Sequence, residues 1–471
     1  MNAPGLRLDQ APPLSVPLRF FLTAPLFALL AAGTLLWHGP AALASRWTAP
    51  MLALTHFFTL GFLTMVMFGA LMQMLPVLAG APLARPRLVS ALVHVPLTLG
   101  VLLLGAGLLG ARPDALLFAM PLAGGGLFVF MTAAMWNLWR VKSGNATVIA
   151  MRLALAALAL TVMLGLALGL GASGRLGLPA QQTWTNVHLV WGLIGWVALL
   201  VIGVAYQVVP MFQLTPSYPA WLRHGLALLV FAALTGWSAA AVVAPGRLAA
   251  TVFGLLLALG LAVFAGATLY LQHRRRRRLP DVTLNFWRLS MASLLAAVLL
   301  WLAASGGGFV SERLTLALGT LVILGFAASA IHGMLYKIVP FLLWLHLHGR
   351  QTRHPLPNMA ISPGVGVVQG RTDYGAKDAK LDAHSAPEGR SPRMANVKEL
   401  LPDRHTLPHL WIHLAAMLAT LAACALPAIF VYPAALLLLL SFGWLEWNLV
   451  SAVRRYRHTV RAHASGSMHV A

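Results

Sequence analysis

The sequence predicts an all-α polytopic membrane protein, with about twelve transmembrane helices set as three pseudo-threefold-related four-helix arcs. Three observations predict it. Of 471 residues, 59% are hydrophobic and only 9% charged, with a mean hydropathy of +0.80; a water-facing domain carries roughly a quarter charged residues. The apolar residues fall in runs of about 20, the length that crosses roughly 30 Å of hydrocarbon. One pattern also recurs three times along those runs, four runs apart.

Taken in order, the predicted spans lie at about 18–37, 50–79, 88–110, 114–139, 149–172, 184–213, 220–243, 248–271, 286–304, 314–345, 408–430 and 433–453. The chain divides into an N-terminal tail (1–17), the first ten spans (18–348), a polar insertion (349–404), the last two spans (405–453) and a basic tail (454–471). The first apolar run is read as a retained helix, because no small-residue cleavage site follows it at signal-peptide distance. The insertion holds six of the eleven acidic residues and is expected to be flexible and cytoplasmic. Its GVGVVQG stretch (364–370) lacks the strand–turn–helix context of a phosphate loop.

Lys and Arg number 33 against 11 Asp and Glu, a formal charge of +22. In a soluble domain that excess would point to nucleic acid; between apolar spans it reads as topology and contact with anionic lipid. Loops after even-numbered spans hold twelve basic residues, among them Arg85, Arg87, Arg140, Arg152, Arg223 and Arg274 to Arg278. Loops after odd-numbered spans hold five: Arg46, Arg112, Arg175, Arg247 and Arg313. Both termini are therefore expected in the cytoplasm of a bacterial-type inner membrane, with HRRRRR (273–278) anchored on headgroups and no nucleic-acid partner. The single cysteine, Cys424, excludes intramolecular disulfides and cysteine-ligated clusters.

The repeated pattern is Gly, a polar residue twelve on, and Pro three further. The second span carries Gly61, Gln73 and Pro76; the sixth Gly195, Gln207 and Pro210; the tenth Gly325, Lys337 and Pro340. Gly and Pro are common in membrane helices, so one copy alone could be packing. Three copies at one spacing make these spans equivalent, and equivalent positions in a closed ring all face inward.

Each of the three also carries a histidine: His56, His188 and His332. An ionisable ring inside a membrane is costly and usually turned to an interior partner, and neutral imidazole ligates haem iron or copper. An interhelical hydrogen bond is the bland alternative for each. His56 stands 20 residues before Pro76 and His188 22 before Pro210, while His332 is only 8 before Pro340. At 1.5 Å per residue His332 lies about 18 Å deeper than His56, so His56 and His188 form the better joint site.

Twelve spans, cytoplasmic termini, three four-helix arcs and histidines on the second, sixth and tenth spans resemble subunit I of the haem–copper oxidases. HFFTLGFLTMVMFGALMQMLP and HLVWGLIGWVALLVIGVAYQVVPMF are similar to its divergent relatives, among them the NnrS family of haem- and copper-containing proteins linked to nitric oxide stress. The resemblance covers all the spans but not residues 349–404. It implies haem, of b type, and copper as cofactors, a redox partner subunit, and oxidoreductase chemistry. By position it implies that His56 is a haem ligand, His188 a copper ligand and His332 a second haem ligand. The sequence departs from the oxidases in three ways. The tenth span has one His where they carry HxH, the adjacent His pair near the seventh span is missing, and the HPEVY-type motif of the sixth is absent.

Other residues have two readings each. His94, His224 and His413 are placed near the starts of the third, seventh and eleventh spans. His405, His409 and His413 share a helical face that could hold a metal, with His413 the strongest ligand candidate, although Pro408 puts His405 before the predicted helix. Met65, Met67, Met72 and Met74 suit Cu(I) or simple filling. Trp184, Trp191 and Trp196 suit a cofactor wall or an interfacial belt. Lys337 either snorkels or balances a propionate, and Glu446 is the only acid inside a span. The expected function is electron transfer or nitric oxide and diatomic gas handling, without proton pumping or oxygen reduction; His332, Tyr206 and Tyr336 could pass a proton only part of the way. The alternatives are a transporter or metal-handling permease on the same scaffold, or a structural protein that has lost its cofactor.

Overall fold

The computed structural model describes residues 11–80, 82–141, 144–243, 247–276, 281–307, 311–351 and 397–466. Most of the polar insertion, the GVGVVQG stretch and the outermost parts of both tails lie outside the described residues. Among the described residues twelve helices are long and apolar enough to cross a membrane. They are α1 (Ser15–Leu43), α2 (Ala49–Val77), α3 (Pro86–Leu109), α4 (Pro113–Arg140), α5 (Ala146–Ala172) and α6 (Gln181–Gln213), then α7 (Ala220–Val242), α8 (Leu248–His273), α9 (Val282–Ser305), α10 (Glu312–Leu347), α11 (Asp403–Ala425) and α12 (Pro427–Arg461). In a bilayer every backbone polar group must be satisfied within the spanning segment, which leaves the helix as the only open choice for such runs.

Several boundaries differ from the sequence reading; α12, for one, continues to Arg461, into the stretch read as a basic tail. Pro427, not Pro433, takes the first position of α12, where its missing N–H costs nothing. Helix α11 starts at Asp403 with Pro408 inside it, so His405, His409 and His413 do share one helix.

The helices close a ring. Helix α4 packs on α5, α8 on α9, and α12 returns to α1. Within each arc the same pairs touch: first with second, second with third, third with fourth, and first with third. The most apolar windows of α2, α6 and α10 are 67%, 61% and 61% buried, against 22–50% for the other nine, which makes these three the inner helices. Large exposed aromatics, including Trp136, Trp139, Trp221 and Tyr270, mark one end of the bundle. Arg140 and Arg274 lie over two of those rings, as interfacial anchors do.

Each inner helix widens midway into an eight-residue π-helical stretch, at Phe57–Thr64, Trp191–Ala198 and Leu321–Ala328. The repeat glycine is the fifth residue of each, so the three stretches share one register. That of α10 touches those of α2 and α6. The glycines are there because each inner helix presses on the first helix of its own arc. A methyl group on Gly61 would strike Phe27 of α1, one on Gly195 Ala157 of α5, and one on Gly325 Ser293 of α9. Eight residues later Gly69, Gly203 and Gly333 repeat the contact against Phe21, Ala150 and Phe286. The repeat is therefore Gly-x7-Gly-x3-(Gln/Lys)-x2-Pro.

Candidate functional site

Between the inner helices and their neighbours, at the end of the bundle carrying Arg46, lies a cavity of about 560 Å³. Its walls are mostly apolar, and His56 and His188 both line it. The sequence-predicted pair meets: the two rings stand 6.4 Å apart between centroids, with planes inclined by only 24°. His56 is the last α-helical residue before the π stretch of α2, and His188 lies three residues before that of α6.

Each ring is held by a backbone carbonyl. His56 Nδ1 donates to Leu52 O at 2.7 Å, one turn back on its own helix. His188 Nδ1 donates to Thr161 O at 3.0 Å, across to α5. A carbonyl only accepts, so both Nδ1 atoms carry the proton and both Nε2 atoms keep a lone pair. This is the tautomer and the outer-shell contact that metal-ligating histidines use. With both Nδ1 atoms so engaged, the two Nε2 lone pairs are the ones that would hold a metal or cofactor.

The cavity mouth carries Arg46 and Trp47, with the guanidinium 4.4 Å above the indole. Glu312, the first residue of α10, accepts from Ser45 Oγ at 3.0 Å and from Arg46 N at 3.2 Å. Partial burial lowers the Arg46 pKa, and Glu312 offsets part of that shift. Trp196 also lines the cavity and donates its indole N–H to Thr64 Oγ1 at 3.1 Å, tying α6 to α2.

His332 and His413 are elsewhere. Both are fully buried in the third arc, together with His409. The His332 ring is 4.5 Å from that of His413 and 4.9 Å from that of His409. No group of three or more His, Cys, Asp or Glu among the described residues is arranged to hold a metal ion. Both nitrogens of His409 and of His413 are engaged with hydroxyls. Neither nitrogen of His332 has a hydrogen-bond partner. The structure therefore separates the four sequence candidates into a cavity pair, His56 with His188, and members of a buried cluster, His332 with His413.

The remaining candidates resolve individually. His94 is the ninth residue of α3 rather than a helix start, and bonds Thr23 Oγ1 at 2.9 Å; His224 is exposed. His413 is the eleventh residue of α11 and fully buried, while His405 sits half-exposed in the first turn. Met65, Met67, Met72 and Met74 are buried in the core, away from the cavity lining. Trp191 is buried and donates to Ser238 at 2.8 Å. Lys337 pairs with Asp281 at 3.0 Å. Glu446 is half-buried, with Oε2 shut from solvent and unpartnered. Arg46 and the Thr161 carbonyl were not legible as site components, because one lies in a loop and the other is backbone. No protein-family model matches the chain, and no curated protein matches it.

Proposed function

We propose that this multi-pass membrane protein binds haem, of b type, between His56 and His188, and that it is a divergent relative of haem–copper oxidase subunit I. It serves electron transfer or the handling of nitric oxide or another diatomic gas. The observation that carries the reading is the imidazole pair: 6.4 Å apart, nearly parallel, each with Nδ1 on a carbonyl, facing an apolar cavity of about 560 Å³. Haem held there would supply one-electron chemistry tuned by the imidazoles that hold it and the dryness of the pocket.

The chain's own residues do the rest. The carbonyls of Leu52 and Thr161 orient the rings and raise their basicity. The apolar walls exclude water, and Arg46 at the mouth offers the one cation among the cavity-lining residues for a carboxylate-bearing edge. The membrane is a bacterial-type inner membrane with both termini cytoplasmic. Anionic lipid meets the end bearing Arg140 and Arg274, and a redox partner supplies electrons.

The test is an absorption spectrum of protein purified after haem-sufficient expression, with metal analysis, for the wild type and for His56→Ala and His188→Ala. A Soret band in the wild type, lost or shifted in both variants, is expected. No Soret band, or a spectrum indifferent to both substitutions, rejects the haem reading. A transporter or metal-handling permease would then be favoured by the open cavity among repeated inner helices.

A further inference from the structure

The buried cluster of the third arc contains an unbroken run of protic groups, and one acceptor fixes the direction of every bond in it. Leu324 O is a carbonyl and can only accept, so Ser329 Oγ donates to it at 3.3 Å. Ser329 Oγ then accepts from His413 Nε2 at 3.0 Å, which puts the His413 proton on Nε2. His413 Nδ1 must accept, from Ser441 Oγ at 3.3 Å. Ser441 Oγ in turn accepts from His409 Nε2 at 3.2 Å, leaving His409 Nδ1 to accept from Tyr336 OH at 2.7 Å. Asn448 Nδ2 donates to the Tyr336 oxygen at 2.8 Å and to His405 O at 3.2 Å. From Asn448 to Leu324 each link donates the same way, and Asn448 also donates outward to the His405 carbonyl.

All the members are buried, drawn from α10, α11 and α12. One end of the run, Leu324, lines the cavity in the π stretch of α10. The other reaches His405, which is half-exposed one turn along α11 beside exposed Asp403 and Arg404. Such a chain is expensive in a membrane interior, where a hydrophobic helix contact would serve packing as well, and chains of this kind mark proton relays. Tyr206, the equivalent of Tyr336 in α6, donates to the carbonyl of Leu222 and leads nowhere. His332 touches the run but has no bond to it.

We propose that this run is a proton path that feeds the cavity floor from the His405 end of the bundle. In one passage Ser329, buried behind the cavity wall at Leu324, gives its hydroxyl proton to a base or water admitted past Leu324 from the cavity. Ser329 Oγ takes the Nε2 proton of His413, whose Nδ1 takes that of Ser441. Ser441 Oγ takes the Nε2 proton of His409, whose Nδ1 takes that of Tyr336. The phenol oxygen takes a proton from water at the His405 end. One proton enters and one leaves, as many O–H and N–H bonds form as break, and no charge stays in the membrane. Both imidazoles end in their other tautomer, and ring and hydroxyl rotation resets them. The path stands on these bonds and not on what occupies the cavity.

Full-length protein in liposomes containing a pH-sensitive dye, with a potassium diffusion potential set by valinomycin, tests it. Wild-type vesicles are expected to change internal pH faster than protein-free ones. Ser441→Ala, which removes the bridge between the two imidazoles, is expected to lower the protein-dependent rate at least tenfold, and Ser441→Thr to restore it. A wild-type rate equal to protein-free vesicles overturns the proposal, as does a Ser441→Ala rate equal to wild type or a loss that Ser441→Thr does not rescue. Gel filtration in the same preparations confirms that each variant is folded. The absorption spectrum, read in parallel, bears on the haem site alone.

Discussion

Thr64 and Trp196 join two π-helical stretches through a single hydrogen bond, indole N–H to hydroxyl at 3.1 Å, at a point where both residues are buried. Thr64→Val would leave the indole N–H without an acceptor in an apolar setting, a loss of about 1–3 kcal/mol. Trp196→Phe removes the donor and leaves the Thr64 hydroxyl free to turn back on its own helix. Adding Trp196→Phe to Thr64→Val is therefore expected to cost less than the two single effects together. Melting temperatures of the four proteins in one detergent measure the coupling.

Gly165 of α5 faces His188: a Cβ there would stand 3.0 Å from His188 Cε1. Gly165→Val is expected to displace the ring and, if the proposed haem is bound there, to shift or weaken its Soret band, while the helix itself gains from losing a glycine. Gly266→Ala, with open space around it, is the control. Equal spectra for both variants would separate His188 from the chromophore.

The π-stretch glycines are close approaches, so overpacking there should cost about 1–3 kcal/mol. Gly325→Val pushes on Ser293 of α9 and is expected to lower the melting temperature by several degrees. Gly319→Ala, six residues earlier with nothing nearby, is expected to be neutral or slightly stabilising. Parallel melts of the two variants decide it.

Asp281 has two duties. It pairs with Lys337 at 3.0 Å, and its Oδ1 accepts from Thr283 N at 2.9 Å at the start of α9. With both side chains partly exposed, the ion pair is worth about 0–1 kcal/mol, whereas losing a cap costs roughly 0.5–2 kcal/mol. Lys337→Gln, which restores the residue of the other two repeats, is expected to be milder than Asp281→Ala. The reverse order in a thermal melt would show that the pair outweighs the cap.

How much could be read in advance follows from what each feature depends on. Twelve helices and the threefold plan depend on apolar run length and on residues at fixed spacing, both of which are one-dimensional. The second glycine of the repeat, Gly69, Gly203 and Gly333, was equally readable and passed over, because glycine is common in such helices. The meeting of His56 and His188 followed from their equal depth. The π stretches were hidden, since nothing local distinguishes LVILGFAA from an α-helical run, and packing against α9 decides it. The Ser–His–Ser–His–Tyr run was hidden for another reason: its members come from three helices, and only the bundle aligns them. His409 was visible as part of a stripe, but Ser329, Ser441 and Asn448 are each unremarkable on a line of sequence.

The shared π stretches also set the angular phase of each inner helix. Eight residues wound with i→i+5 bonds lag an α-helix of the same length by on the order of a third to half a turn. Everything on the Arg46 side of the stretch, His56 included, is rotated by that amount against the Gly69–Pro76 half. The two halves of α2 can thus present different faces inward without a kink. Deleting one residue within Phe57–Thr64 takes out about the excess that the wide winding absorbs, so the stretch can close to α-helical geometry with His56 still on the cavity wall. A deletion in the α-helical turns between the stretch and Gly69 would instead swing His56 by about 100° around the axis against Gln73 and Pro76. The inner helices are, in this sense, geared shafts whose upper and lower faces are set independently.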